Sequence, residues 1–269
     1  MLNRILIVAG KEATDNWRDR RSLLSAALYC LMGPGVVWLV SLAVRDSRPV
    51  PIAMMSIFTM VAAFVGGMNV AMDSVAGERE RRSLVPLLMH PVSRLDLLLG
   101  KWLAVAAFSA AGLWLNVVGF ALLFHRFPSP ALAVCMLPLS LLAAALERWI
   151  STLCRTVKEA HTYLSMLVFV PMGLGMFLVF SPAAGQGWLR LLPVAGQQLQ
   201  LEAAMRGGEL DPLRMLFLGF ATAVLAGLAV VVAADRLERD DVVYGCGLRR
   251  LSGAPSGDSA TGPTGNGAD

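Results

Sequence analysis

Histidine, cysteine, serine and acidic residues carry most enzyme chemistry, but their spacing here supports no catalytic site. The three histidines, His90, His125 and His161, lie far apart in the chain, and no H-E-x-x-H motif is present to bind zinc. No G-x-x-x-x-G-K-S/T loop is present to bind the phosphates of ATP, and no Ser-His-Asp spacing supports nucleophilic catalysis. We therefore predict that the chain is not an enzyme, with no catalytic residue, no metal site and no cofactor of its own.

Charged residues are instead concentrated in the strip Gly77–Lys101, "GERERRSLVPLLMHPVSRLDLLLGK", between two long apolar runs. Acidic and basic residues alternate from Glu78 to Arg82, and leucines at helical spacing follow them. Pro91 ends this helix because proline disfavours the helical conformation in the residue before it. Ser93 and Asp96 match the S/T-x-x-D/E signal for the start of a second helix. The strip thus predicts two amphipathic helices that another protein could press against. A solvated connector is the alternative.

Composition indicates what must hold this strip in place. Of the 269 residues, 56% are hydrophobic and only 16% are charged, whereas a soluble domain has about a quarter charged residues. An apolar helix needs about 20 residues to cross a hydrocarbon core of about 30 Å. Uncharged runs that meet or approach this length lie at about 22–44, 51–72, 102–124, 130–146, 163–180 and 215–234. We predict an all-α polytopic membrane protein with six transmembrane helices.

The basic residues in the connections predict the orientation of these helices. Lys and Arg number 17 on the side of the N-terminus, the strip, the loop between spans four and five and the C-terminus, against 6 on the other side. Because cytoplasmic loops are enriched in Lys and Arg, both termini and the strip are predicted to be cytoplasmic. The pI near 9.1 reflects this bias, so no nucleic-acid partner is needed to explain it. All four cysteines are predicted to be free thiols.

Two appendages flank the transmembrane domain, which we place at residues 22–234. Residues 1–21 have apolar side chains at spacings of three and four with charges between them, which predicts an amphipathic helix on the inner membrane surface. Residues 235–269 form a cytoplasmic tail. After about residue 250 it is rich in Gly, Ser, Pro and Thr, which predicts disorder.

Residues Asp73–Lys101 resemble the segment after the second span in permease subunits of type 2 ABC exporters, especially the sodium-extrusion branch. The matching positions are Asp73, Ala76-Gly77-Glu78, the Leu84–Leu88 run, Pro91-Val92-Ser93-Arg94 and Gly100-Lys101. Weaker matches are "KEATDNWRDRRSLL", "STLCRTVKEAHTYLSM" and "DRLERDDVVYG", so that the resemblance runs from about residue 4 to 245. Only "RDSRP" separates the first two spans, where many sodium-extrusion permeases carry a large external domain. Sodium, drugs, lipids, peptides and polysaccharide precursors all remain candidate substrates.

The resemblance implies an export permease of the bacterial cytoplasmic membrane, in contact with membrane lipid. It implies two copies of a separate ABC ATPase subunit that bind ATP and Mg²⁺, and a second permease subunit, identical or homologous. It also implies that cytoplasmic coupling helices of the permease contact the ATPase. The partner-coupling residues carried over are Glu78, Arg79, Glu80, Arg82, Leu84, Pro86, Leu87, Leu88, Pro91 and Arg94, with Arg155, Lys158 and Glu159 as a second contact.

Two asparagines, Asn69 and Asn116, fall within predicted spans, where an amide faces protein or water instead of lipid. They are candidates either for the transport pathway or for hydrogen bonds between helices. Two rival functions fit the same topology: an ion-coupled secondary transporter, and a membrane assembly or regulatory protein that transports nothing. The runs contain no charged residue that would mark a proton or sodium relay, which weakens the first rival.

Overall fold

The computed structural model of the chain describes residues 2–43, 49–81, 94–124, 136–154, 156–180, 187–208 and 211–238. These residues are nearly all helical and contain no strand, which confirms the predicted all-α class. In chain order the longer helices are α1 (Leu2–Arg18), α2 (Arg20–Ala43), α3 (Pro49–Met72), α5 (Arg94–Phe124), α6 (Leu137–Leu153), α7 (Val157–Phe180), α8 (Pro193–Met205) and α9 (Pro212–Glu238). A π-helical turn (Asp73–Gly77) and the short helix α4 (Glu78–Glu80) continue α3, and a 3₁₀ turn (Leu189–Leu191) precedes α8.

Five helical segments of the described chain are long and apolar enough to cross a membrane. They are Arg20–Ala43, Ile52–Glu80, Leu95–Phe124, Val157–Phe180 and Pro212–Asp235. Their outward faces carry exposed large apolar side chains, such as Leu28, Phe169 and Phe220. In water such a surface would be costly, so the chain is a multi-pass membrane protein.

The helix at the predicted fourth span is α6, and it begins and ends later in the chain than predicted. It has 17 residues and runs to Leu153, whereas the prediction ended at residue 146. Residues 130–135 lie outside the described residues. Because α6 continues, Glu147 and Arg148 lie within the helix and are buried. The expectation that the helices of this region contain no charged residue is therefore wrong for α6.

The helix α1 packs against the start of α5 and is separate from α2. A Cβ added at Gly100 would stand 2.6 Å from Val8 Cβ and 2.9 Å from the Ile5 carbonyl oxygen, so glycine allows this close approach. Between α1 and α2, the Asp19 carboxylate accepts hydrogen bonds from the Arg21 backbone N–H at 3.2 Å and the Ser22 hydroxyl at 2.5 Å. The Ser22 bond is the main reason that the pKa of Asp19 is lowered, and the bond from the Arg21 N–H caps the start of α2.

The core lies where α3, α5 and α6 meet. A Cβ added at Gly112 on α5 would stand 2.7 Å from the Gly66 Cα on α3, so these two backbones almost touch. Such contacts between small residues are the usual way in which helices pack in a bilayer. Leu113 of α5 and Leu139 of α6 fill the space beside this contact and are fully buried.

The remaining described helix, α8, lies between α7 and α9 in the chain. It packs against α9, α3 and the 3₁₀ turn. Its Gln197 and Gln198 side chains are fully buried.

Candidate coupling site at the end of the second span

The site is built around the π-helical turn that joins α3 to α4. A π-helical turn fits one extra residue, and such turns are frequent at functional sites. The turn ends at Gly77. A glycine fits there because a Cβ atom at this position would overlap the Asp73 side chain. The turn itself is buried from Ser74 to Gly77, although its sequence continues directly into the charged residues of α4. The charged strip therefore begins inside the molecule.

Lys101 is the centre of the site. Its ammonium group donates to Glu78 Oε1 at 2.5 Å, to Glu12 Oε1 at 2.9 Å and to the Ser74 carbonyl oxygen at 2.9 Å. An ammonium has three donors, and all three have a partner. The Lys101 side chain is 2% exposed, and those of Glu12 and Glu78 are 12% and 18% exposed. One buried cation thus joins α1, the end of α3 and the start of α5.

Arg79 and Glu80 join the same strip to α6 and α7. The Arg79 guanidinium donates to the carbonyl oxygens of Cys154 at 2.6 Å and Thr152 at 3.2 Å, at the C-terminal end of α6. The last carbonyls of a helix have no partner within it, so a cation there is favourable. The Glu80 carboxylate accepts the backbone N–H of Val157 at 2.9 Å, at the first residue of α7. Each charge sits at the helix end that its sign favours.

Arg148 connects α6 to the π-helical turn from the opposite side. Its Nη1 donates to the Ser74 hydroxyl at 3.1 Å, and the side chain is fully buried. One turn further, the Ser151 hydroxyl accepts the backbone N–H of Ala76 at 3.4 Å. Ser74 therefore contacts two buried cations, Lys101 through its carbonyl and Arg148 through its hydroxyl. The turn cannot move without disturbing both α5 and α6.

A polar cleft of about 570 Å³ lies beside this cluster. Its walls are α1 and the end of α3, and the lining residues are Lys11, Glu12, Asp15, Asn16, Asp19, Asp73, Ser74, Glu78 and Arg81. Arg81 pairs with Asp73 at 2.6 Å, and Lys11 pairs with Asp15 at 3.6 Å. Within the described part of the chain, no three His, Cys, Asp or Glu side chains are arranged to hold a metal ion.

The structure brings together only some of the predicted coupling residues. Glu78 and Arg79 are half-buried against the protein's own helices, whereas Glu80 and Lys158 are exposed. Glu159 lies one turn into α7, and its backbone N–H donates to the Thr156 hydroxyl at 3.2 Å, which caps that helix. Arg94 begins α5, so the second predicted helix of the strip is continuous with the third span. The side chain of Arg94 and the residues Arg82, Leu84, Pro86, Leu87, Leu88, Pro91 and Arg155 lie outside the described residues.

Asn69 and Asn116 both bond between helices. Asn69 Nδ2 on α3 donates to the Ser22 carbonyl oxygen at 3.2 Å and to Ser25 Oγ at 3.0 Å, both on α2. Asn116 Nδ2 on α5 donates to the Cys30 carbonyl oxygen at 2.8 Å, and its Oδ1 accepts from Thr59 Oγ1 at 3.1 Å. These bonds join the first three spans. A role of either amide in a transport pathway stays a prediction.

Sequence reasoning missed the roles of Glu12, Lys101, Glu147 and Arg148. Lys101 was read only as the end of the strip, because nothing in a sequence shows which groups will surround a lysine. For Glu147 a signal was present. It continues the buried stripe of α6, whose members recur at spacings of three and four: Ser140, Ala143, Ala144, Glu147 and Ser151. The helical spacing that identifies the buried face of α6 therefore also predicts that these charged residues are buried.

Comparison with known proteins agrees with this architecture. Residues 41–220 match the family described as ABC-2 family transporter protein. The chain is 34% identical over 202 residues to the ABC transporter permease protein NatB of Bacillus subtilis (strain 168), which covers 67% of this chain and 51% of that protein. It is 30% identical over 105 residues to the probable ABC transporter permease protein NosY of Stutzerimonas stutzeri, covering 38% of each. The chain thus spans about half the length of NatB, or less for NosY. Its matched region includes the π-helical turn, the charged strip and three of the five apolar helical segments in full, and on this match the chain belongs to the ABC-2 family of transporter proteins.

Proposed function

We propose that this chain is the permease subunit of an ABC exporter in a bacterial cytoplasmic membrane, driven by ATP hydrolysis in a separate ATPase subunit. Family membership and the multi-pass helices support a transport subunit. Two copies of the ATPase and a second permease subunit complete the proposed assembly. Both termini and the strip face the cytoplasm in this proposal, as the distribution of Lys and Arg predicts.

The single observation that carries the coupling role is the anchoring of the strip. Within three consecutive residues, Glu78, Arg79 and Glu80 contact Lys101 of α5, the last carbonyls of α6 and the first N–H of α7. A connector that only spans two helices needs none of these contacts. A strip bonded to four other elements moves them together when it is pushed, since α1 is included through Glu12.

This arrangement gives each charged residue a role in the proposed mechanism. ATP-driven closure of the ATPase subunits presses on the exposed face of the strip and on the start of α7. Arg79 and Glu80 carry the displacement to the ends of α6 and α7, and Lys101 carries it to α1 and α5. Because the bonds are charge-assisted and largely buried, the joint is stiff. The helices then tilt, and access to the substrate pathway changes sides.

Cysteine cross-linking tests the contact with the ATPase. Arg81→Cys and Lys158→Cys place single thiols at exposed positions near the strip, in a background with the four native cysteines replaced by alanine. Both are expected to cross-link to a co-expressed ABC ATPase. The matched control is Asp211→Cys, an exposed position at the far end of the bundle just before α9. Cross-linking at Asp211 but not at Lys158 would contradict the proposed face.

A charge substitution then tests coupling without disturbing the buried cluster. Lys158→Glu changes an exposed side chain, and we expect it to lower transport-dependent ATPase activity while the complex stays assembled. Reversing Glu78 is a poorer test because it also places two positive groups beside each other at Lys101. Lys11→Glu, an exposed position on α1, serves as the charge control.

Reconstitution distinguishes the export permease from its rivals. Purified chain in liposomes should support no ATP hydrolysis alone, and the complex with the ATPase should hydrolyse ATP and transport. Transport that continues with an ATPase lacking its catalytic carboxylate would favour the ion-coupled secondary transporter. Failure of every ABC ATPase encoded next to this chain to co-purify with it would favour a role outside transport.

A further inference from the structure

Glu147 is a buried carboxyl group that the coupling site does not use. It lies on α6, is 1% exposed, and neither carboxyl oxygen has a hydrogen-bond partner among the described residues. The Ser109 hydroxyl on α5 is fully buried and likewise lacks a partner among those residues. Both groups face Gly67 of α3. The point where α3, α5 and α6 meet therefore contains unused polar atoms.

The two buried basic residues of the coupling site are bonded to groups other than Glu147. Lys101 binds Glu12 and Glu78, and Arg148 donates to Ser74. Among the other titratable groups on the elements packed against α6, Arg79 donates to the last carbonyls of α6, and Asp73 and Arg81 pair with each other. The rest are Glu80, Asp96 on α5, Lys158, Glu159, His161 and Tyr163 on α7, Asp211 and Arg214 at the start of α9, and Asp235 near its end. None of these groups bonds to Glu147, whose carboxyl oxygens have no hydrogen-bond partner among the described residues.

The space between Glu147 and α3 is also too small for a solvated ion. A Cβ added at Gly67 would stand 2.9 Å from Glu147 Oε2 and 3.1 Å from Val105 Cγ1, and it would overlap the Ser109 hydroxyl oxygen. There is thus no room even for a methyl group between α3 and these side chains. A proton is the one cation that needs no such room, and an unpaired carboxylate buried among membrane helices is very costly.

We propose that Glu147 is a proton-binding site inside the permease. In the conformation described here its carboxyl group is a neutral acid. When α3 and α6 separate so that water reaches the carboxyl, the proton passes to water and a carboxylate remains. Reclosure takes one proton back. Each opening of the α3–α5–α6 contact is thereby linked to the release of one proton per subunit.

Infrared spectroscopy of the purified chain in lipid tests this proposal directly. The C=O stretch of a protonated carboxylic acid is separated from carboxylate bands. At neutral pH we expect one such band in the wild type that shifts on deuteration, is absent from Glu147→Gln and is kept in Glu202→Gln. Glu202 is the matched control because its carboxylate pairs with Arg206. A wild-type spectrum without this band, or a band that persists in Glu147→Gln, would overturn the proposal.

A second measurement keeps the test informative if a variant folds poorly. Thermal stability of the wild type should also fall as pH rises above about 4, because the unfolded chain releases the Glu147 proton while the folded chain keeps it, and it should fall less in Glu147→Gln. Equal loss in both would contradict a neutral acid at this position. None of these readouts requires the ATPase, so this proposal can fail while the proposed function stands.

Discussion

Replacing Lys101 by methionine removes one ammonium group and keeps a flexible side chain of similar length. The carboxylates of Glu12 and Glu78 lose the cation that lies 2.9 and 2.5 Å from them. The Ser74 carbonyl loses its donor at 2.9 Å as well. Because methionine fills most of the same space, the change tests charge more than packing.

The loss of stability in Lys101→Met can be estimated from the distances in the structure. At an effective dielectric constant of about 20, each of these ion pairs has about 6 kcal/mol of Coulomb attraction. Desolvation of the three groups offsets most of this, so the expected net cost is that of breaking a buried pair, about 3–5 kcal/mol. For a chain of this size that corresponds to a fall in Tm of roughly 10 °C.

Thermal unfolding in detergent, followed by the helical circular dichroism signal, measures this change. The matched variant is the triple substitution Lys101→Met with Glu12→Gln and Glu78→Gln, which removes all three charges together. Because a buried ion pair can be replaced by neutral groups at little cost, we expect the triple variant to recover most of the lost Tm. Coupling of ATP hydrolysis to transport should stay impaired in both.

Two outcomes would refute this reasoning. A fall in Tm below about 2 °C for Lys101→Met, which corresponds to less than 1 kcal/mol, would mean that the ammonium is not the buried centre of the site. A triple variant as unstable as the single one would mean that methionine packs badly there. The charges would then not be the cause.

Three further predictions follow from other contacts. Gly67→Ala should lower the free energy of unfolding by about 1–3 kcal/mol, because the added Cβ overlaps buried side chains. Gly173→Ala is the control, since the space around Gly173 is open and no loss of stability is expected. The Tm of each variant measures the effect. Burial raises the pKa of the Cys154 thiol, the nearby Glu159 carboxylate raises it further, and Arg79 lowers it. The substitution Glu159→Gln should therefore lower the pKa of Cys154 and speed its labelling by maleimide near pH 8. An unchanged rate would remove Glu159 as a cause. Asn116→Ala should lower the free energy of unfolding by about 1 kcal/mol, because it removes two hydrogen bonds between spans that contribute about 0.6 kcal/mol each. Export should stay unchanged unless the amide lines the transport pathway, and a transport assay distinguishes the two cases.

The apolar helices could be predicted from sequence because hydropathy is a local property. A run of about 20 uncharged residues needs a bilayer whatever the rest of the chain does. The five helices long and apolar enough to span confirm this, and the motif around Ala76-Gly77-Glu78 was enough to identify the ABC-2 family. Where the apolar run blended into charge, as at Glu147, the predicted end of the fourth span was several residues too early.

The partners of the charged residues could not be predicted in this way. Glu78 is predicted to contact an ATPase, and its carboxylate also binds a lysine 23 residues away in the sequence, which no sequence pattern indicates. That contact depends on the extra residue in the π-helical turn and on the close packing at Gly100, and neither has a signal in the local sequence pattern. The sequence by itself determined that this chain crosses a membrane, because burial of apolar surface depends on composition and period alone. Only the tertiary structure decided which charges meet, because Coulomb partners are selected by distance in space and not by separation along the chain.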